Sequence, residues 1–242
     1  MTQPFPGNAE AEPEPWFLWQ DAVHSPAANM AIDEALLMRA RQYGRPLLRF
    51  YRWDRNAVSI GYVQKFAAAP VSGYAVVRRP TGGGVVYHDH DFTYTVVVPD
   101  GHWLTGLNRT RSYDAINRAV LAGLDACQIG GALAVDEIPQ TVDRSTMVCF
   151  RSPTRYDIML GNTKVAGSAQ RRRREGILHQ GSLHFGETLP VARQKLRAAL
   201  CRGFETVLKV IFEPFAPDPH LLELAEHLVA ERYSRDDWNR RR

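Results

Sequence analysis

Apolar positions recur at helical spacing directly after Ser25-Pro26, at Ala28, Ala31, Ile32, Ala35 and Leu36, and Gly44 follows. This pattern predicts a helix with a serine cap, proline in its first turn and a glycine stop. A second helix is predicted over 110–126, where Tyr113, Ile116, Val120, Leu121 and Leu124 share one face and Gly130-Gly131 lies beyond the end. A third is predicted over 193–208, with Leu196, Leu200, Val207 and Leu208, and a fourth after the Asp218-Pro219 cap, with Leu221, Leu222, Ala225 and Leu228. Between them lie β-rich runs at 47–51, 57–62 and 74–79. The run 91–98 sets Phe92, Tyr94 and Val96 against Thr93 and Thr95 and stops at Pro99. Residues 156–160 and 164–166 flank Gly161-Asn162 as a hairpin, and 177–185 reads as a further strand. Strands and helices in mixed order predict an α+β fold, a mixed or antiparallel β-sheet packed against helices.

Composition places limits on this picture. With 242 residues, 45% of them hydrophobic, the chain can bury a sizeable core as a single domain, expected over 16–242; residues 7–15, rich in Pro, Glu and Ala, predict a solvated tail over 1–15. No apolar run is long enough to span a bilayer and the N-terminal stretch lacks the pattern of a secretory leader, so no membrane association and a cytoplasmic location are expected. Cys127, Cys149 and Cys201 are few, odd in number and without metal-ligand spacing, so neither a disulfide framework nor a metal site is expected. The formal charge of +4 favours acidic partners without naming one. The run Arg171 to Arg174 reads most simply as a solvated hairpin tip; docking of an acidic carrier protein is an alternative, and nucleic acid is not expected because no recognised nucleic-acid motif accompanies it.

Candidate chemistry concentrates in three places. Arg78-Arg79-Pro80-Thr81-Gly82-Gly83-Gly84 puts two guanidinium groups and three glycines at a strand end, which suits close approach of backbone to a thin ligand beside a charged group. His88 follows at once and can polarise a carbonyl, shuttle a proton or brace the loop; the bracing role has at least equal claim. Cys149 lies among Arg144, Ser145, Arg151 and Ser152, unlike the apolar settings of Cys127 and Cys201, and Lys164 stands fifteen residues on across the predicted hairpin. A thiolate is the reactive form of cysteine, and a nearby ammonium favours it. Taken singly, Cys149 is a core residue and Lys164 a surface one; taken together they suit acyl transfer through a thioester.

Several segments then carry a family likeness: Asn29 to Leu36, Arg52-Trp53 with Ser59 to Gln64, Arg78 to Asp89, and Lys164 to Gln170. Through them the chain resembles, over nearly its whole length, the superfamily of lipoyl and octanoyl transferases, lipoate-protein ligases and biotin-protein ligases. Val148 to Tyr156, His179 to Ser182 and Tyr233 to Asn239 are most similar to the LipM-type octanoyltransferases. The resemblance implies a biotin/lipoate-ligase-like catalytic domain that transfers octanoyl groups from octanoyl-acyl carrier protein to a lysine of a lipoyl-accepting protein, the H protein of glycine cleavage, without ATP, metal or other cofactor. By the same resemblance Cys149 matches the acyl-thioester nucleophile and Lys164 the lysine that activates it. Arg79, Gly82, Gly83, Gly84 and His88 match the acyl tunnel, Arg52, Ser59, Gly61 and Gln64 a neighbouring wall, and Gly167, Ser168 and Ala169 belong to the same substrate-binding set. Gly84 departs from the LipM pattern, which has arginine at the third glycine position. It keeps open an ATP-dependent lipoate-protein ligase that forms lipoyl-AMP without a covalent cysteine intermediate.

Overall fold

The computed structural model describes residues 12–69, 72–135 and 154–241. An eight-stranded mixed sheet runs through the middle of the molecule. In chain order its strands are β1 (Glu14–His24), β2 (Leu47–Trp53), β6 (Phe92–Pro99), β7 (Ala132–Leu133), β8 (Ile158–Leu160), β9 (Thr163–Arg173), β10 (Gly176–Leu183) and β11 (Val210–Pro214). They lie side by side as β11-β1-β2-β6-β10-β9-β8-β7. Strands β3 (Ala57–Ile60), β4 (Ala75–Arg78) and β5 (Val86–His88) form a separate sheet in the order β4-β3-β5. The fold class is α+β, as expected.

Alternation along the strands splits the core in two. Leu48, Phe50, Phe92, Tyr94, Val96 and Ile177 face α3 (Arg109–Ala126) and α4 (Arg193–Leu208), while Leu47, Tyr51, Val97 and Leu178 face α1 (Pro26–Tyr43) and α5 (Pro219–Leu228). The short helices α2 (Trp103–Gly106) and α6 (Asp236–Asn239) complete the fold. Helix α1 begins as its sequence predicts: Ser25 Oγ accepts from the Ala28 N–H, Pro26 occupies the first turn, and Gly44 closes the helix with a φ of 67°.

Several expectations need correction. Glu14 and Pro15, assigned to the tail, are paired in β1 with Val210 and Ile211. Neither β1 nor β11 alternates cleanly, because each pairs in parallel and β1 has neighbours on both edges. Strand β9 extends to Arg173 rather than ending at Ala166. Its Gly, Ser, Ala and Arg residues have little intrinsic preference for strand, and β8 and β10 hold it from either side.

The four arginines therefore form no single patch. Arg171 donates to the Pro80 carbonyl and stacks on Tyr62, and Arg172 turns the other way to the Leu107 carbonyl and Ser112. Arg173 reaches Glu34 at 3.5 Å while remaining exposed, and Arg174 is exposed beside Glu175.

Candidate active site

Strand β4 ends at Arg78 with Arg79 immediately after it, and both guanidinium groups are buried and bonded to backbone carbonyls. Arg78 Nη1 donates to the carbonyls of Gly61 (3.0 Å) and Gln64 (2.6 Å), and Nη2 to that of Asn239 (2.9 Å). Arg79 Nη1 donates to the Ser59 carbonyl (2.8 Å), and Nη2 to the carbonyls of Gly82 (2.5 Å) and Gly84 (2.7 Å). The sequence suggested charged groups beside a thin ligand; in the structure the Arg79 fork staples the glycine loop, while the Arg78 fork ties the Gly61–Gln64 turn to Asn239. Gly83 has a φ of 85°, and a Cβ on Gly61 would lie 2.1 Å from the Gly83 carbonyl oxygen, so the loop rests directly on the β3 end. Gln64 secures the same turn by accepting from the Gly61 N–H (2.9 Å).

His88, on β5, stands between Ser59 and Asp91. Its Nδ1 is 2.6 Å from Asp91 Oδ2 and its Nε2 2.8 Å from Ser59 Oγ, while the Trp53 ring stacks on it at 4.0 Å. A carboxylate at Nδ1 selects the tautomer that donates there and accepts from the Ser59 hydroxyl at Nε2. Asp91 Oδ2 also accepts from Ser182 (2.7 Å) and Thr93 (2.9 Å). Burial pushes the Asp91 carboxyl upward, but the neighbouring His88 ring and the hydrogen bonds from His88, Ser182 and Thr93 outweigh it, and the group sits below the ordinary carboxylate range.

These groups surround a narrow cavity whose wall includes Ser59, Arg79, Gly83, His88, Gly167, Ser168 and Ala169 from the predicted set. The lining also includes Met30, Tyr51, Trp53, Thr93, Gln180 and Ser182, to which the sequence assigned no role. Tyr51 and Gln180 both donate to Asp33 Oδ2, and Gln180 Oε1 accepts from Thr81. The side-chain polar groups of the wall are thus hydrogen-bonded within the protein. Gly61, Gln64, Gly82 and Gly84 lie behind this wall as its support. Arg52 is exposed and lines an adjoining polar cleft of about 220 Å³ together with Arg193 and Asp89.

Lys164 lies on β9 and is not part of the cavity wall. Its Nζ meets Asp157 Oδ2 at 2.6 Å, with both side chains almost wholly buried. Cys149 falls outside the described residues. Among the described residues no cluster of three or more His, Cys, Asp or Glu side chains is placed to hold a metal, and no helix is long and apolar enough to cross a membrane.

With this geometry, residues 25–210 match the lipoyl protein ligase A/B catalytic domain. The chain belongs to that family. Curated relatives of this lipoyl protein ligase A/B chain include octanoyltransferases LipM of Brevibacillus brevis, 32% identical over 95% of this chain and 100% of the relative, and of Bacillus subtilis, 30% identical over 95% and 99%. The LipM of Carboxydothermus hydrogenoformans is 40% identical over 70% of this chain and 65% of its own. Among solved structures, a Thermoplasma acidophilum protein described as a lipoate protein ligase, with lipoic acid bound, has a TM-score of 0.77 at 25% identity, covering 96% of this chain and 99% of its own. A lipoate-protein ligase A bound with ATP has a TM-score of 0.75 at 26% identity, covering 95% and 98%. The overall α+β architecture is thus shared with these solved ligase structures.

Proposed function

We propose that the protein is an acyltransferase of lipoate biosynthesis, moving an octanoyl group from acyl carrier protein through a thioester on Cys149 to a lysine of a lipoyl-accepting protein such as the H protein. The carrying observation is the cavity beside the glycine loop: its side-chain polar groups are hydrogen-bonded within the protein, so they demand nothing of a ligand, and a plain alkyl chain suits such a wall. The LipM relatives support the same reading from sequence.

The chemistry proceeds in two steps. The Cys149 thiolate attacks the carrier thioester, exchanging one thioester for another and releasing the carrier thiol. The acceptor lysine amine then attacks the enzyme thioester, and the amide formed makes the transfer downhill. Lys164 supplies positive charge for the thiolate and for the tetrahedral oxyanion. The stapled loop fixes the acyl chain while the two carrier domains exchange places.

The test is the intact mass of the protein after mixing with octanoyl-acyl carrier protein in the absence of ATP. A single octanoyl adduct, labile to hydroxylamine and absent from Cys149→Ser, is expected. Full activity in Cys149→Ser, or a strict requirement for ATP, identifies instead the lipoyl-AMP-forming ligase that Gly84 and the solved ligase structures favour.

A further inference from the structure

Lys164 does not approach the site alone. Asp157 Oδ2 accepts from its ammonium at 2.6 Å and also from the Thr154 backbone N–H (2.6 Å) and hydroxyl (2.8 Å). The carboxylate is thus fixed by its own turn before it meets the lysine. Tyr156, the residue before it, has a φ of 71°, a left-handed conformation that is costly for a residue with a bulky side chain. The turn is held in that shape from outside: Asn117 on α3 donates to the Tyr156 carbonyl (2.8 Å), and the Tyr156 N–H donates to the Ala134 carbonyl (2.8 Å). Asn117 Oδ1 in turn accepts from Ser168 in the cavity wall at 3.3 Å. Strain in the turn, an outside brace and a link to the acyl cavity all converge on one carboxylate.

We propose that Asp157 is the positioning residue of the reaction, which keeps the Lys164 ammonium charged and aimed inside a dry site. The proposal rests on the reading of Lys164 as the group that serves the acyl-transfer centre. A fully buried ammonium without a counter-charge gives up its proton, because burial penalises the charged form. The described titratable groups around the pair do not replace Asp157. Burial raises both Tyr94 on β6 and Tyr113 on α3, and the Asp157 charge adds to it; at Tyr113 a hydrogen bond with the Gln170 backbone and the charges of Arg109 and Arg79 partly offset this, leaving it at about 12. His179 on β10 is held neutral, to about 3, by burial. In neutral solution both phenols and this imidazole are therefore uncharged.

The experiment compares pH profiles of octanoyl transfer for the wild type, Asp157→Asn, Asp157→Glu and Lys164→Met, with thermal melts of each and of the Asp157→Asn/Lys164→Met double variant. Asp157→Asn is expected to lose about 100-fold in kcat/KM near neutrality and to move the alkaline limb down by about two pH units, since its ammonium survives only in acid. Asp157→Glu keeps the charge and is expected to keep the limb. A merely structural Asp157 lowers activity equally at all pH values, and that outcome overturns the proposal, as does a wild-type profile in Asp157→Asn. Should Asp157→Asn fold too poorly to assay, the melts decide. Removing the stranded ammonium in the double variant raises Tm above that of Asp157→Asn, and failure of this rescue overturns the proposal. Activity retained in Lys164→Met strikes at the underlying reading of Lys164 and is thereby told apart from a failure of Asp157.

Discussion

His179 shows what a single side chain can add to the pH response of the whole protein. It is wholly buried near Tyr94 and Tyr113; its Nδ1 accepts from Gln170 at 3.0 Å, and its Nε2 has no hydrogen-bond partner among the described residues. Burial lowers it from the ordinary 6.5 to about 3. The unfolded chain takes up this proton near 6.5 and the native protein only near 3, so the unfolded state binds more protons throughout that window. Stability contributed by neutral His179 is complete above 6.5 and lost as pH falls toward 3. In His179→Leu the acid slope of unfolding free energy should flatten by about 1.4 kcal/mol per pH unit, read from urea denaturation between about pH 6 and about pH 4.5. An unchanged slope means the native imidazole already carries its proton in that range. Asp91 works in the same direction at lower pH: its carboxyl is depressed, so its contribution is present above the ordinary 3.8 and disappears below it.

At the scale of elements, the site depends on how closely β3 approaches the glycine loop. Gly61→Ala places a methyl against the Gly83 carbonyl, and the loop must yield, because a backbone atom cannot swing aside as a flexible side chain would. Octanoyl transfer should fall more than about tenfold while Tm drops only a few degrees, since overpacking at one spot costs about 1–3 kcal/mol. A fully active Gly61→Ala protein rules out a tight loop as part of the tunnel. Much of this was readable beforehand. Helices α1 and α5 announced themselves through periodicity and caps, α3 and α4 through periodicity, and Arg79, Gly83 and His88 through chemistry packed into a few residues. What the sequence hid is long-range. Gln180 and Asp33 are 147 positions apart and meet only in the folded chain, and an aspartate directly ahead of a strand gives no local sign that it will meet a lysine. Arg78 misled in the opposite sense, because an arginine beside glycines looks like a ligand grip until its carbonyl partners are known.

On the scale of the molecule, the far C-terminal residues are part of the site's foundation. Arg78 donates to the carbonyls of Trp238 and Asn239, its N–H meets Asn239 Oδ1 at 2.8 Å, and Trp238 Nε1 returns a bond to the Arg78 carbonyl at 3.0 Å. Arg241 stacks between Tyr62 and Trp238 and donates to the Tyr62 carbonyl. Ending the chain at Ser234 removes all of these, strands a buried guanidinium, and should cost at least about 3 kcal/mol in a denaturant melt together with nearly all transfer activity. A truncated protein of undiminished activity shows that the loop holds itself. Strand β11 makes a parallel demand at the other end of the sheet, where it covers the outer edge of β1. During translation the consequence is one of timing: Arg78 and the turn at Tyr62 leave the ribosome well before residues 235–241 arrive to brace them. The support of the glycine-loop region is therefore completed only when the last residues of the fold, through Arg241, have joined it.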